Sequence, residues 1–114
     1  MTGVQTCALP IYIITRESIV NAATSVAATA GSTNGVMHLI AIAKELGIDF
    51  TIDDFDEISA RTPVIVDMKP GGRFMATDLW KAGGVSVVAR ELSKRDLLDL
   101  DTRNVDGQIG RAHV

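Results

Sequence analysis

Only one stretch of this 114-residue chain, Val64-Ile65-Val66, reads as a β-strand. It is short and β-branched. Thr62-Pro63 bounds it on one side, and a Pro/Gly loop over Met68 to Phe74 bounds it on the other. Elsewhere the apolar residues recur at helical spacing. A single strand leaves its N–H and C=O groups without partners, which folded backbone does not tolerate. Helical hairpins can fold alone; a strand without a sheet cannot. The chain therefore reads as mostly α-helical with one short strand, a piece of a larger α/β domain.

The helices announce their own ends. Thr15 is expected to cap a first helix, with Glu17 in its first turn and Ile19, Ala22, Ala23, Val26 and Ala30 along it. A second is expected from about Thr33 to Leu46, with Gly47 closing it. Thr51 caps a third, with Asp53 and Asp54 at its start and Phe55 and Ile58 inward, and Thr62-Pro63 stops it. A short helix holds Asp78-Leu79-Trp80 and ends at Gly83-Gly84. A last helix carries Val85, Val88, Leu92 and Leu97-Leu98. Met37 and Trp80 are expected to pack inside. The polar run from Asp99 to Gly107 reads as the start of a linker.

Composition removes several function classes. A hydrophobic fraction of 46% with 4% aromatics describes an aliphatic core rather than a disordered chain. The net charge is −3 and the basic residues are scattered, so nucleic acid finds no footprint. The apolar stretch from Cys7 to Ile14 is too short to span a membrane. No nucleophile–base pair, phosphate loop, dinucleotide fingerprint or zinc spacing occurs.

The two ends read as foreign. Ile109 to Val114 back-translates onto a common short-read sequencing adapter whose next triplet is a stop codon. Met1 to Ile11 can be written so that its second half is the reverse complement of the same oligonucleotide. Residues 1–12 and 108–114 are therefore read as translated adapter and left out of fold reasoning. Cys7, the only cysteine, falls in the first of these tails, and His113 falls in the second. The segment between them keeps His38 as its histidine and has no thiol for a disulfide or a cysteine-held metal.

The candidate site lies at Ala30-Gly31-Ser32-Thr33-Asn34, where small polar residues give way to the apolar helix beginning near Val36. The free N–H groups and positive dipole end of such a helix suit an anion, which in a sugar-acid or hydroxy-acid enzyme would be a carboxylate. Ser32, Thr33 and Asn34 are the residues placed to touch it; the competing reading is that they only cap the helix. His38, on an apolar helix, reads as a hydrogen-bonded core or interface histidine rather than a catalytic one. Asp53, Asp54, Asp56 and Glu57 splay around one short helix and read as a solvated face, not a metal site. Arg73 could clamp a carboxylate bidentately or pair with Asp67 or Asp78 to fix its loop; the structural role is favoured.

Gly31-Ser32-Thr33-Asn34, with Val36, His38-Leu39 and Ala41-Ile42-Ala43, resembles the Gly-Gly-Ser-Thr-Asn segment of the dihydroxy-acid dehydratase and phosphogluconate dehydratase family. Asp53-Asp54-Phe55-Asp56-Glu57-Ile58-Ser59, Thr62-Pro63, Lys69-Pro70-Gly71-Gly72-Arg73, Asp78-Leu79 and Ala82-Gly83-Gly84 follow in the family's order and spacing. The resemblance runs from about Ile13 to Gly107. Ala30 stands where the family usually has a first Gly, so positive φ is not expected there.

The resemblance implies the C-terminal part of an N-terminal α/β domain over residues 13–98, with 99–107 opening the linker to a second domain. It implies a hydro-lyase that converts a 2,3-dihydroxy carboxylic acid, through an enol, to a 2-keto acid. It also implies a cysteine-held iron–sulfur cluster and a divalent cation such as Mg²⁺. The cysteines lie upstream and the serine base in the following domain, so the segment itself is expected to bind neither cofactor and to hold no catalytic residue. The parent is expected to be a cytoplasmic homodimer acting on a small hydroxy-acid. Gly35-Val36-Met37-His38 is closer to the branched-chain biosynthetic type than to the sugar-acid (aldonate or phosphogluconate) type. A non-catalytic helical interaction module is the alternative from a different class.

Overall fold

The structure, a computed structural model, describes residues 13–102. Residues 1–12 and 108–114, read above as adapter, and most of the 99–107 run lie outside the described residues. Among the described residues five helices follow one another: α1 (Arg16–Ala28), α2 (Thr33–Glu45), α3 (Ile52–Arg61), α4 (Ala76–Ala82) and α5 (Val85–Lys94). Their starts follow side-chain chemistry. Thr15 and Ser18 form a reciprocal capping box on α1, and Thr51 and Asp54 form one on α3. Asp78 does half of that work on α4, its carboxylate accepting the Met75 N–H at 2.8 Å.

Two small cores result. Ile19 and Ala23 of α1, Ala43 of α2, Ile58 of α3 and the connector residue Phe50 bury one another. Ala28 at the far end of α1 packs with Val88 and Leu92 of α5, and Ile65, Val66 and Leu79 lean on them. α1 thus serves both cores. Alanines along it let its neighbours approach closely, while the buried Thr24 hydroxyl donates to the Val20 carbonyl at 2.8 Å.

Several expectations are corrected. Val64-Ile65-Val66 forms no strand; among the described residues no second strand exists to pair it, and its N–H groups go elsewhere. Ile65 and Val66 both donate to the Ala28 carbonyl, at 2.7 and 3.0 Å. The β-type contact that forms is an isolated bridge between Met68 and Phe74. α5 stops at Lys94, and Leu97 and Leu98 reach the second core only after the chain turns at Asp96, which has φ +57°. Met37 and Trp80 are exposed, at 67% and 78%, because α2 and α4 turn other residues inward. His38 is also exposed, not buried. Asp99 docks on α1: its N–H donates to Asn21 Oδ1 and its carbonyl accepts from Asn21 Nδ2.

Candidate functional site

The end of α1, the start of α2 and the Asp67–Phe74 loop meet at one place. α1 closes with paired hydrogen bonds, Gly31 N–H to Val26 carbonyl at 2.9 Å and Ala30 N–H to Ala27 carbonyl at 3.4 Å. This turn forces Ala30 to φ +54°, against expectation. The hydrogen-bond geometry of the turn requires the left-handed conformation whichever residue occupies it, and here an alanine does.

Ser32 is the N-cap of α2. Its hydroxyl accepts the Asn34 N–H at 3.1 Å and its carbonyl accepts the Gly35 N–H at 3.0 Å. Capping therefore belongs to Ser32. Thr33 and Asn34 are exposed at the first turn, which carries no acidic residue.

The Asp67–Phe74 loop is held internally. The Asp67 carbonyl accepts from both Arg73 and Phe74 N–H, and the Lys69–Pro70 bond is cis. Arg73 Nε donates to Asp67 Oδ2 at 2.6 Å, and its guanidinium lies 5.1 Å from the centre of the Phe74 ring. Asp78 is engaged at the α4 cap instead. Arg73 remains 79% exposed.

Two glycines make this approach possible. The Gly71 N–H donates to the Ala30 carbonyl at 3.2 Å, and a Cβ on Gly71 would stand 2.7 Å from that oxygen. A Cβ on Gly72 would overlap Asp67. The sequence marks the pair as loop residues; that they bring two loops together is visible only in three dimensions. Beside the junction lies an open groove of about 450 Å³ bordered by Val26, Gly31, Met68, Leu79, Val85 and Val88.

The arrangement presents an accessible helix N-terminus on a fixed turn, with an exposed arginine on the loop tied to that turn. It can hold an anion. The acidic residues of α3 are separate from it: Asp54 completes its cap and pairs with Arg16 at 3.3 Å. Among the described residues no three His, Cys, Asp or Glu side chains come together as a metal site, and no helix is long and apolar enough to cross a membrane.

The family model for the dihydroxy-acid/6-phosphogluconate dehydratase N-terminal region matches residues 1–112. A dihydroxy-acid dehydratase from Koribacter versatilis is 52% identical over 99 residues, covering 87% of this chain and 17% of that protein. One from Nitrosomonas europaea is 52% identical over 100 residues, covering 88% and 18%. One from Thermus thermophilus is 46% identical over 99 residues, covering 87% and 18%. The chain thus spans less than a fifth of the length of these curated relatives. With the Ser32 cap, the Gly71–Gly72 loop and the Gly83–Gly84 break all in place within a match of this extent, the chain belongs to the dihydroxy-acid/6-phosphogluconate dehydratase family, in its N-terminal domain.

Proposed function

We propose that this chain is part of a hydro-lyase acting on a 2,3-dihydroxy carboxylic acid, in which the α2 N-terminus receives the substrate carboxylate. In that reaction the C2 proton and the C3 hydroxyl leave as water, and the resulting enol tautomerises to the 2-keto acid. A branched-chain biosynthetic substrate is favoured over a sugar acid because the relatives are named dihydroxy-acid dehydratases. The observation that carries the binding role is the exposed first turn of α2, with Ser32 occupied as the cap and Thr33 and Asn34 left facing outward. Arg73 is the second candidate for the carboxylate: it is exposed, and its loop is tied to the turn before α2 through Gly71.

The family resemblance implies an iron–sulfur cluster and Mg²⁺, and the described residues do not fit either group: no cysteine lies among them, and no three His, Cys, Asp or Glu side chains come together. Both are assigned to other parts of a homodimeric, cytoplasmic parent, and the 114-residue chain alone is inactive. This segment's role is to bind and orient.

The test is Asn34→Leu in the full-length enzyme carrying this segment. Asn34 contributes only its N–H to the cap, which leucine keeps, so stability should stay within about 0.5 kcal/mol. The value of kcat/KM for a branched-chain 2,3-dihydroxy acid should fall about tenfold, a loss of ~1.4 kcal/mol. Unchanged kcat/KM would remove the binding role and leave the family membership standing.

A further inference from the structure

Asn34-Gly35 is the single Asn-Gly pair of the chain; Asn21 precedes Ala22 and Asn104 precedes Val105. An asparagine followed by glycine carries a reaction of its own. The backbone nitrogen of the second residue can attack the side-chain amide carbon of the first, expelling ammonia and closing a succinimide ring. The attack needs a carboxamide free to turn, no Cβ beside the attacking nitrogen, and main chain able to leave its regular conformation. Asn34 meets each condition. It is exposed, and its carboxamide makes no hydrogen bond among the described residues; its backbone N–H alone is engaged, by Ser32. The Gly35 N–H is held by the Ser32 carbonyl at 3.0 Å, in the first turn of α2, and helix ends open more readily than helix middles. Packing does not call for glycine there. A Cβ on Gly35 would stand 3.6 Å from Val26 Cγ2, an ordinary contact, and Gly35 has no positive φ. Asn21 gives the contrast. It lies within α1, and Asp99 holds both ends of its carboxamide, the carbonyl accepting at 2.8 Å and the N–H donating at 2.9 Å.

We propose that Asn34 is a site of spontaneous deamidation, at which the Gly35 nitrogen attacks Asn34 Cγ and the N-terminus of α2 acquires a negative charge. In the first step the N–Cγ bond forms, the Gly35 nitrogen gives up its proton, and the carboxamide nitrogen leaves as ammonia. Water then opens the ring at either carbonyl, giving aspartate or isoaspartate. The sum is amide plus water to carboxylate plus ammonium, with nothing oxidised or reduced. Aspartate suits the helix, whose first turn carries no acidic residue and whose dipole favours one. Isoaspartate adds a carbon to the main chain between Asn34 and Gly35 and breaks the first turn. Either product sets a carboxylate where the substrate's own is received. That consequence rests on the carboxylate reading of α2; the reaction itself does not.

The test is to age the folded full-length enzyme carrying this segment in mildly alkaline heavy-oxygen water, so that ring opening writes the label into the product. The enzyme is then digested in ordinary water under mild acid and its peptides are mapped by mass spectrometry. Labelled aspartate and isoaspartate are expected in the peptide containing Asn34, while the peptide containing Asn21 keeps its amide. Gly35→Ala, which sets a methyl group beside the attacking nitrogen, should slow the conversion about tenfold. An Asn34 peptide left intact would show that the turn protects the residue, and would overturn the proposal. Conversion of Asn21 at the same rate, or of Asn34 in Gly35→Ala as fast as in the parent, would also overturn it. None of these readouts involves turnover. Asn34→Asp places the charge directly and is expected to lower kcat/KM about tenfold. Unchanged kcat/KM in that variant would remove the carboxylate reading and leave the modification standing.

Discussion

Ala30 sits at φ +54°, where its Cβ crowds the adjoining backbone at a cost of roughly 1–2 kcal/mol. Gly47 and Gly83 close α2 and α4 with positive φ at the same kind of turn, and Asp96 closes α5. Ala30→Gly is therefore expected to stabilise the chain. The relief is partly offset by about 0.4–1 kcal/mol of added freedom in the unfolded chain, leaving a gain of up to about 1.5 kcal/mol. A higher urea midpoint at unchanged slope would show it. A lower midpoint would mean that Ala30 packing against the Gly71 loop outweighs the strain. Nothing in the identity of an alanine announces a left-handed residue, so the sequence pointed the other way here. Glu91 is the other residue with a legible consequence. Hydrogen bonds from Lys94 and then Arg95 hold its carboxyl below its ordinary range. A depressed carboxyl stabilises the fold above the unfolded-state value, and that contribution is lost as pH falls through the folded-state value. The difference in urea midpoint between the chain and its Glu91→Gln variant should thus be present at neutral pH and vanish in acid. Because the pair is exposed, the effect should be small and sensitive to salt.

Among the elements, the Asp67–Phe74 loop is the most demanding. Gly72→Ala would drive a methyl group into Asp67, and relieving that overlap should cost about 1–3 kcal/mol. Gly47→Ala meets open space and should cost about 1 kcal/mol, from its positive φ alone. Thermal midpoints of the two variants should rank in that order; the reverse ranking would mean the loop yields easily. The helices were largely legible because their signals are local: Thr15 and Thr51 lie within three residues of their capping partners. Pro63 and Gly47 stop helices by backbone chemistry alone. Ser32 as a cap was legible for the same reason. What escaped depends on distant partners. Val64-Ile65-Val66 has strand composition, yet strand formation needs a neighbour, and the Ala28 carbonyl takes the N–H groups of Ile65 and Val66 instead. For Arg73 the sequence left a carboxylate clamp, Asp67 and Asp78 as alternatives; in the structure it pairs with Asp67, while Asp78 caps α4. The outward turn of Trp80 was hidden because a short helix with one inward position leaves its pattern ambiguous.

At the scale of the whole molecule, the adapter reading makes a simple prediction. On that reading, a chain trimmed to residues 13–107 should match the stability of the 114-residue chain to within about 0.5 kcal/mol, since residues encoded by an adapter would have no reason to pack. A larger loss would instead join the ends to the fold, in keeping with a family match that extends over residues 1–112. The described body has a further property that follows from α1 serving two cores with different residues: Ile19 and Ala23 in one, Ala28 in the other. Such a helix can be held at one end while it frays at the other. The Ala28 carbonyl ties down Ile65 and Val66, and the Ala30 carbonyl ties down Gly71, so these three amides are released together once the last turn of α1 opens. In deuterium they should exchange as one group, faster than the amides between Ile19 and Ala23. The junction between the end of α1 and the Asp67–Phe74 loop would then breathe as a unit while the opposite end of the same helix stays shut.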